Sequence, residues 1–150
     1  MCGIVGYVGC KPVVDILTDG LEQLEYRGYD SSGIAVMCED KIKVYKAVGK
    51  LNNLKSELLQ HKGEYEKATM GIGHIRWATH GAPTVLNAHP HTCSCGNLVL
   101  VHNGIIENYK ELREELAKDG CVFRSQTDTE VVAHLVARMY AKTKDLAEAV

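Results

Sequence analysis

The hydrophobic and polar positions of this chain follow two periods, and the switches between them predict its elements. Residues 1–9 (MCGIVGYVG) set Ile4, Val5, Tyr7 and Val8 among Gly3, Gly6 and Gly9, the pattern of a buried strand closely approached by other backbone or by a ligand. Val13, Ile16, Leu17, Leu21 and Leu24 then recur at helical spacing, with Pro12 in the first turn and Gly28 as the stop. Residues 26–32 (YRGYDSS) read as a polar loop, and residues 34–37 and 42–48 as two strands joined by a short turn. Leu51, Leu54 and Leu58 mark a short helix that ends before Gly63. Residues 69–76 (TMGIGHIR) form another glycine-rich strand, which runs into a loop over 77–90 with almost no apolar periodicity.

In the second half, residues 98–101 (LVLV) read as a short, fully buried run closed by the His102–Asn103–Gly104 turn. Asn108 with Glu111, and Thr127 with Glu130, have the spacing of a capping box, in which two side chains satisfy the free N–H groups of a helix start. The first opens a helix with Leu112 and Leu116 inward. The second opens one through about residue 142 with Val131, Leu135 and Met139 inward. A brief strand is predicted over 121–124. Residues 145–150 (DLAEAV) begin a helical pattern that has no cap or terminator, so the chain reads as the first part of a longer one. Strands and helices are mixed without the regular alternation of a doubly wound sheet.

The chain of 150 residues suits one domain with a sizeable core. Its 17 basic residues are scattered and its net charge is −2, which argues against a nucleic-acid surface. No apolar run has the length of a membrane span, and the N-terminus lacks the basic and apolar regions of a signal peptide. Cys2 stands where myristoylation needs glycine. The six cysteines therefore read as reduced thiols of a soluble cytoplasmic protein.

Cys2 carries the sharpest chemistry. Removal of Met1 would put a thiol and a free α-amine on one residue, a nucleophile with a base attached. Four polar loops hold the other candidates: residues 26–31, 76–81, 87–91 and 102–104. Arg76 suits either a carboxylate clamp or a surface salt bridge. Asn103–Gly104 is a strong hairpin-turn dipeptide, and also what an oxyanion hole requires. Asp128 either stabilises a helix start or pairs with a substrate ammonium group. His89, His91, Cys93 and Cys95 are all zinc-ligand types, but their alternation is too tight for the usual tetrahedral spacing. His61, His74 and His134 read as solvent-exposed or hydrogen-bonded core residues.

Taken in order, MCGIVGYVG, LEYRGYDSSGIAV, IRWATHGAP, NAHPH, VHNGIIENY and TDTEVVAHL closely resemble the N-terminal glutaminase domain of the glutamine–fructose-6-phosphate aminotransferase family, a class II glutamine amidotransferase. The resemblance covers essentially the whole chain. It implies an α+β fold, a four-layer αββα sandwich of the N-terminal-nucleophile hydrolase type, truncated at its C-terminal end. It assigns the catalytic roles to Cys2, Asn103 and Gly104, and L-glutamine binding to Arg76, Trp77, Thr79, His80 and Asp128. Arg27 and His89 match motif positions near the site. The resemblance implies no metal or organic cofactor. A sugar-phosphate isomerase domain, absent here, would supply the fructose 6-phosphate site, and the full-length protein would be a homodimer. A catalytically silent fragment or regulatory module is the alternative, with a His/Cys metal-binding module behind it. The family pattern offers no role for CSCG at 93–96.

Overall fold

A computed structural model describes residues 2–26, 28–77 and 81–150. The elements run β1 (Gly3–Val8), α1 (Val13–Glu25), β2 (Ser31–Cys38), β3 (Lys41–Val48), α2 (Leu51–Gln60), β4 (Met70–Arg76), β5 (His91–Thr92), β6 (Val99–Leu100), α3 (Tyr109–Lys118), α4 (Thr129–Thr143) and α5 (Leu146–Ala149), with a 3₁₀ turn over Lys62–Glu64 after α2. The strands of the first half form one antiparallel sheet in the order β1-β4-β2-β3. The turn between β2 and β3 holds both Glu39 (φ 50°) and Asp40 (φ 60°) in the left-handed region. That is the type I′ geometry, whose twist matches the strands it joins.

Register explains the glycines of β4. Gly71, Gly73 and Ile75 stand beside Val36, Ile34 and Ser32 on one face. A side chain at Gly71 or Gly73 would meet Leu17 or Leu21 of α1, so their absence lets the helix lie close on the sheet. The main core sits between this face and α1 and α2, built from Val13, Leu17, Leu21, Ile34, Val36, Leu51, Leu54 and Ile75. The opposite face carries Gly33, His74 and Arg76 and looks toward the β5–β6 hairpin. Beyond that hairpin lies α4, with α3 beside it. The layers are therefore α, β, β, α. Between the two sheets runs an apolar cleft of about 910 Å³, lined by Gly6, Ile72, Val99, Val101, Val132 and Val136 among others.

Several local expectations need correction. Pro12 is the N-cap of α1, one position before its first turn. Residues 98–101 are half-buried, because they border the open cleft. Residues 121–124 form no strand. The Val122 N–H bonds to Ser94 Oγ, and those of Arg124 and Ser125 to the Glu130 carboxylate, so side chains satisfy this backbone where a strand partner was expected. Asn108 caps α3 by position but makes no side-chain capping bond, and Thr127 and Glu130 do not close a standard box, since Asp128 occupies the N-cap. Leu135 is only half-buried and Met139 is exposed; the buried side of α4 is Val131, Ala133, His134 and Val136. The last helix does have a cap at its start: Asp145 accepts bonds from the N–H groups of Ala147 and Glu148.

Candidate active site

Antiparallel pairing gathers the start of β1, the start of β2 and the end of β4 at one edge of the sheet. Cys2, just before β1, thereby meets the residue just after β4. Its Sγ accepts a hydrogen bond from the Trp77 N–H at 3.2 Å and lies 3.5 Å from the Trp77 carbonyl. The Cys2 residue is half-buried. The Trp77 ring is half-exposed and packs over Gly28, where a Cβ would fall 2.5 Å from the indole. Gly28 also has φ +102°, so glycine is required there twice over, for its backbone and for the ring above it.

Arg76 is buried beside this thiol edge, at 4% exposure. Its guanidinium donates to the carbonyls of Gly81 (3.1 Å) and Ala82 (3.4 Å) and lies 3.8 Å from the Asp30 carboxylate. The Asp30 N–H in turn donates to the Arg76 carbonyl at 2.8 Å. A surface salt bridge is thus excluded: this is a buried cation held by loop carbonyls and one acid, the setting in which a planar donor fork is most effective.

Two residues along β4, His74 shares Arg76's face. Its Nε2 donates to Asn103 Oδ1 at 2.8 Å, and its ring stacks on His89 with centroids 4.2 Å apart. Burial pushes His74 down to about 4, against the pull of its bond to Asn103, so the ring is neutral near pH 7. His74 Nδ1 finds no hydrogen-bond partner among the described residues. His74 occupies the Asn103 side-chain oxygen and leaves its NH₂ group as a donor, and Asn103 and Gly104 are exposed. Asp128, at the start of α4, accepts from the Ile106 N–H at 2.7 Å and so ties the loop after Gly104 to that helix.

His89 is buried, follows the same stack, and accepts the His102 N–H on Nδ1 at 3.4 Å. Burial, reinforced by the neighbouring His74 and His91, holds it well below the usual histidine range. The bond to Pro90 is cis. His91 pairs through Nε2 with Thr127 Oγ1 at 3.0 Å, and burial with the nearby Lys46 pushes it to about 3. Lys46 itself is lowered to about 8 by burial, against the attraction of Glu130. Cys93 and Cys95 turn toward each other and toward Asn97, whereas His89 and His91 bond to the His102 N–H and to Thr127. No group of three or more metal-ligand side chains converges among the described residues.

Of the predicted site residues, Cys2, Trp77 and Arg76 lie together at the sheet edge, and Asn103, Asp128 and His89 join them through His74 and the Ile106 loop. Arg27, Thr79 and His80 lie outside the described residues. The apolar cleft is separate from this site: among the described residues, none of the predicted ones lines it. His74, read from the sequence only as an exposed or hydrogen-bonded core residue, and Asp30, given there only as part of the 26–31 loop, are further members of this group. A signal for His74 was available, since it sits two residues before Arg76 in a strand and must share its face.

Known proteins resemble this chain in sequence and in fold. Residues 43–148 match the family described as "Glutamine amidotransferase domain". The chain is 55% identical over 149 residues to glutamine–fructose-6-phosphate aminotransferase [isomerizing] of Streptomyces coelicolor, covering 99% of this chain and 24% of that protein. It is 57% identical over 150 residues to the protein of the same name from Aquifex aeolicus, again covering 24% of it. The chain therefore spans about a quarter of the length of these relatives. Among solved structures, it is similar to glutamine phosphoribosylpyrophosphate amidotransferase from B. subtilis, at a TM-score of 0.73 and 28% identity, covering 99% of this chain and 31% of that one. A structure described as the allosteric regulatory enzyme of purine biosynthesis matches at a TM-score of 0.77 and 29% identity, with the same coverage.

Proposed function

This chain belongs to the glutamine amidotransferase domain family, and from that premise we propose that it hydrolyses the side-chain amide of L-glutamine to glutamate and ammonia through Cys2. Its αββα layering is that of the N-terminal-nucleophile hydrolases. The observation that carries the reading is the Cys2 thiol held at the sheet edge beside the buried Arg76, with the Asn103–Gly104 turn linked to the same strand through His74.

Once Met1 is removed, the Cys2 α-amine takes the thiol proton, directly or through a water. The sulfur attacks the amide carbon of glutamine, and the oxyanion of the tetrahedral intermediate is held by the Asn103 NH₂ and the Gly104 N–H. Collapse transfers the proton to nitrogen, releases ammonia and leaves a γ-glutamyl thioester. Water then hydrolyses the thioester. Arg76 binds the α-carboxylate of the substrate and Asp128 its α-ammonium, so that both charged ends orient the amide at the sulfur. The family resemblance carries glutamine binding over to Trp77, Thr79 and His80 as well, with Trp77 closing over the substrate, and matches Arg27 and His89 to motif positions near the site.

In the longer protein, the ammonia aminates fructose 6-phosphate bound by a following isomerase domain, and two such chains pair as a homodimer in the cytoplasm. No described helix is long and apolar enough to cross a membrane. The domain proposal is that residues 1–150 are the N-terminal part of the glutaminase domain.

Incubation with an electrophilic glutamine analogue, followed by intact and peptide mass spectrometry, tests the assignment. The expected result is one adduct, on Cys2, in a peptide lacking Met1. A folded, Met-free protein left unlabelled at saturating analogue overturns it in favour of a catalytically silent module.

A further inference from the structure

The turn between β5 and β6 takes no part in the chemistry above, yet it carries two thiols in an ordered setting. The Sγ atoms of Cys93 and Cys95 lie 2.9 Å apart. Both face one acceptor, Asn97 Oδ1, at 3.3 Å from Cys93 and 2.7 Å from Cys95. The residue between them is anchored on its other sides. Ser94 Oγ accepts the Val122 N–H at 3.0 Å and donates to the Val122 carbonyl at 3.3 Å, while the Ser94 N–H reaches His134 Nδ1 at 3.4 Å. Gly96, at φ +72°, then returns its N–H to the Cys93 carbonyl at 3.0 Å. With Ser94 held and the turn closed, the two side chains project to the same side and stay in contact. Burial separates their roles: Cys93 is buried and Cys95 is exposed.

We propose that Cys93 and Cys95 form a redox-active dithiol that hydroperoxides oxidise to an intramolecular disulfide and small thiols reduce again. Cys95, which faces solvent, meets the oxidant. Its thiolate attacks the terminal peroxide oxygen; an S–O bond forms, the O–O bond breaks, and the alcohol (water, for hydrogen peroxide) leaves after taking a proton. Cys93 Sγ then attacks Cys95 Sγ. The S–S bond forms, the S–O bond breaks, and hydroxide departs with the Cys93 proton as water. Two thiols and one hydroperoxide thus become one disulfide, one alcohol and one water, with two electrons passing from sulfur to oxygen. Reduction runs by exchange, consuming two small thiols and yielding their disulfide. The acidities agree with this division. Burial raises Cys93, whereas for Cys95 the same effect is outweighed by the bond from Cys93 and the nearby backbone N–H groups, which turn its thiol downward.

The test treats the full chain with a small excess of hydrogen peroxide, blocks remaining thiols with iodoacetamide and maps the peptides by mass. The expected product is a peptide spanning 93–95 that is lighter by two hydrogens, carries no alkyl group, and regains two reactive thiols in dithiothreitol. Cys93→Ser should stop the sequence at a Cys95 sulfenic acid that dimedone captures. Cys95→Ser, a change at an exposed position, should slow oxidation at Cys93 by about tenfold or more. The proposal is overturned if both thiols stay alkylatable while the exposed Cys10 is oxidised. It is equally overturned if Cys95 ends as a sulfinic acid or crosslinks to Cys121 or to a second molecule while Cys93 stays reduced.

Discussion

Removing the Glu130 carboxylate should unfold this protein more readily than loss of any single surface charge. Glu130 is 3% exposed, and its carboxylate accepts the N–H groups of Arg124 (2.8 Å) and Ser125 (2.7 Å) and the Ser125 hydroxyl (2.7 Å). In Glu130→Ala the hydroxyl can still reach Thr127 Oγ1, 2.9 Å away, so the cost falls on the two backbone donors. A buried donor left unsatisfied costs about 1–3 kcal/mol; the Ser125 N–H is buried and the Arg124 N–H only partly so, which puts the loss at roughly 2–5 kcal/mol. Glu130→Gln keeps one acceptor and gives up the charge, and should cost about 1–2 kcal/mol. Burial alone would raise this carboxyl, but His134 at 3.9 Å, Ser125 and the two N–H groups outweigh it and hold the group down to about 2. Because the folded value lies below the ordinary 4.5, the stabilisation is complete above pH 4.5 and fades as pH falls toward about 2. Urea unfolding followed by far-UV circular dichroism, at neutral pH and at several acidic values, reads both quantities. The alanine variant should show the full loss at pH 7 and converge on the parent in acid. A loss below about 0.5 kcal/mol, or a gap that does not change with pH, refutes the reasoning.

Three changes probe the site through ammonia release from glutamine. Asn103→Ala should lower kcat by about 10²–10³ with KM nearly unchanged, as for loss of one oxyanion donor, and a rise in KM alone would reject that role. His74→Ala should lower kcat by about tenfold without moving KM, because Asn103 loses the donor that orients it. His74→Gln, which keeps an N–H, should recover part of that loss, and equal loss in both variants would mean that His74 serves only packing. Arg76→Lys should raise KM for glutamine about tenfold or more with kcat changed less, since an ammonium cannot copy the two-pronged contact. An unaltered KM would remove Arg76 from substrate binding.

Much of this architecture was legible from residue spacing. The glycine-interrupted strand after Cys2, the leucine faces of α1 and α2, and the strand over 69–76 each carry a local periodicity that pairs a buried face with an exposed one. The motifs around Cys2, Arg76 and Asn103 were equally visible as residue types suited to amide chemistry. What spacing did not contain was the set of polar partnerships between residues far apart in the chain. His74 with Asn103, Cys2 with the Trp77 N–H, and Asp128 with the Ile106 N–H join residues 29, 75 and 22 positions apart. The same holds for residues 121–124. Their short apolar run reads as a strand, but strand formation needs a partner, and here Ser94 and Glu130 reach the backbone first. Met139 fits the inward stripe of α4 on paper and is exposed in the fold. Periodicity determines which side of an element prefers burial. Only the packing of one layer on another decides which neighbour supplies it and which buried donor meets which acceptor.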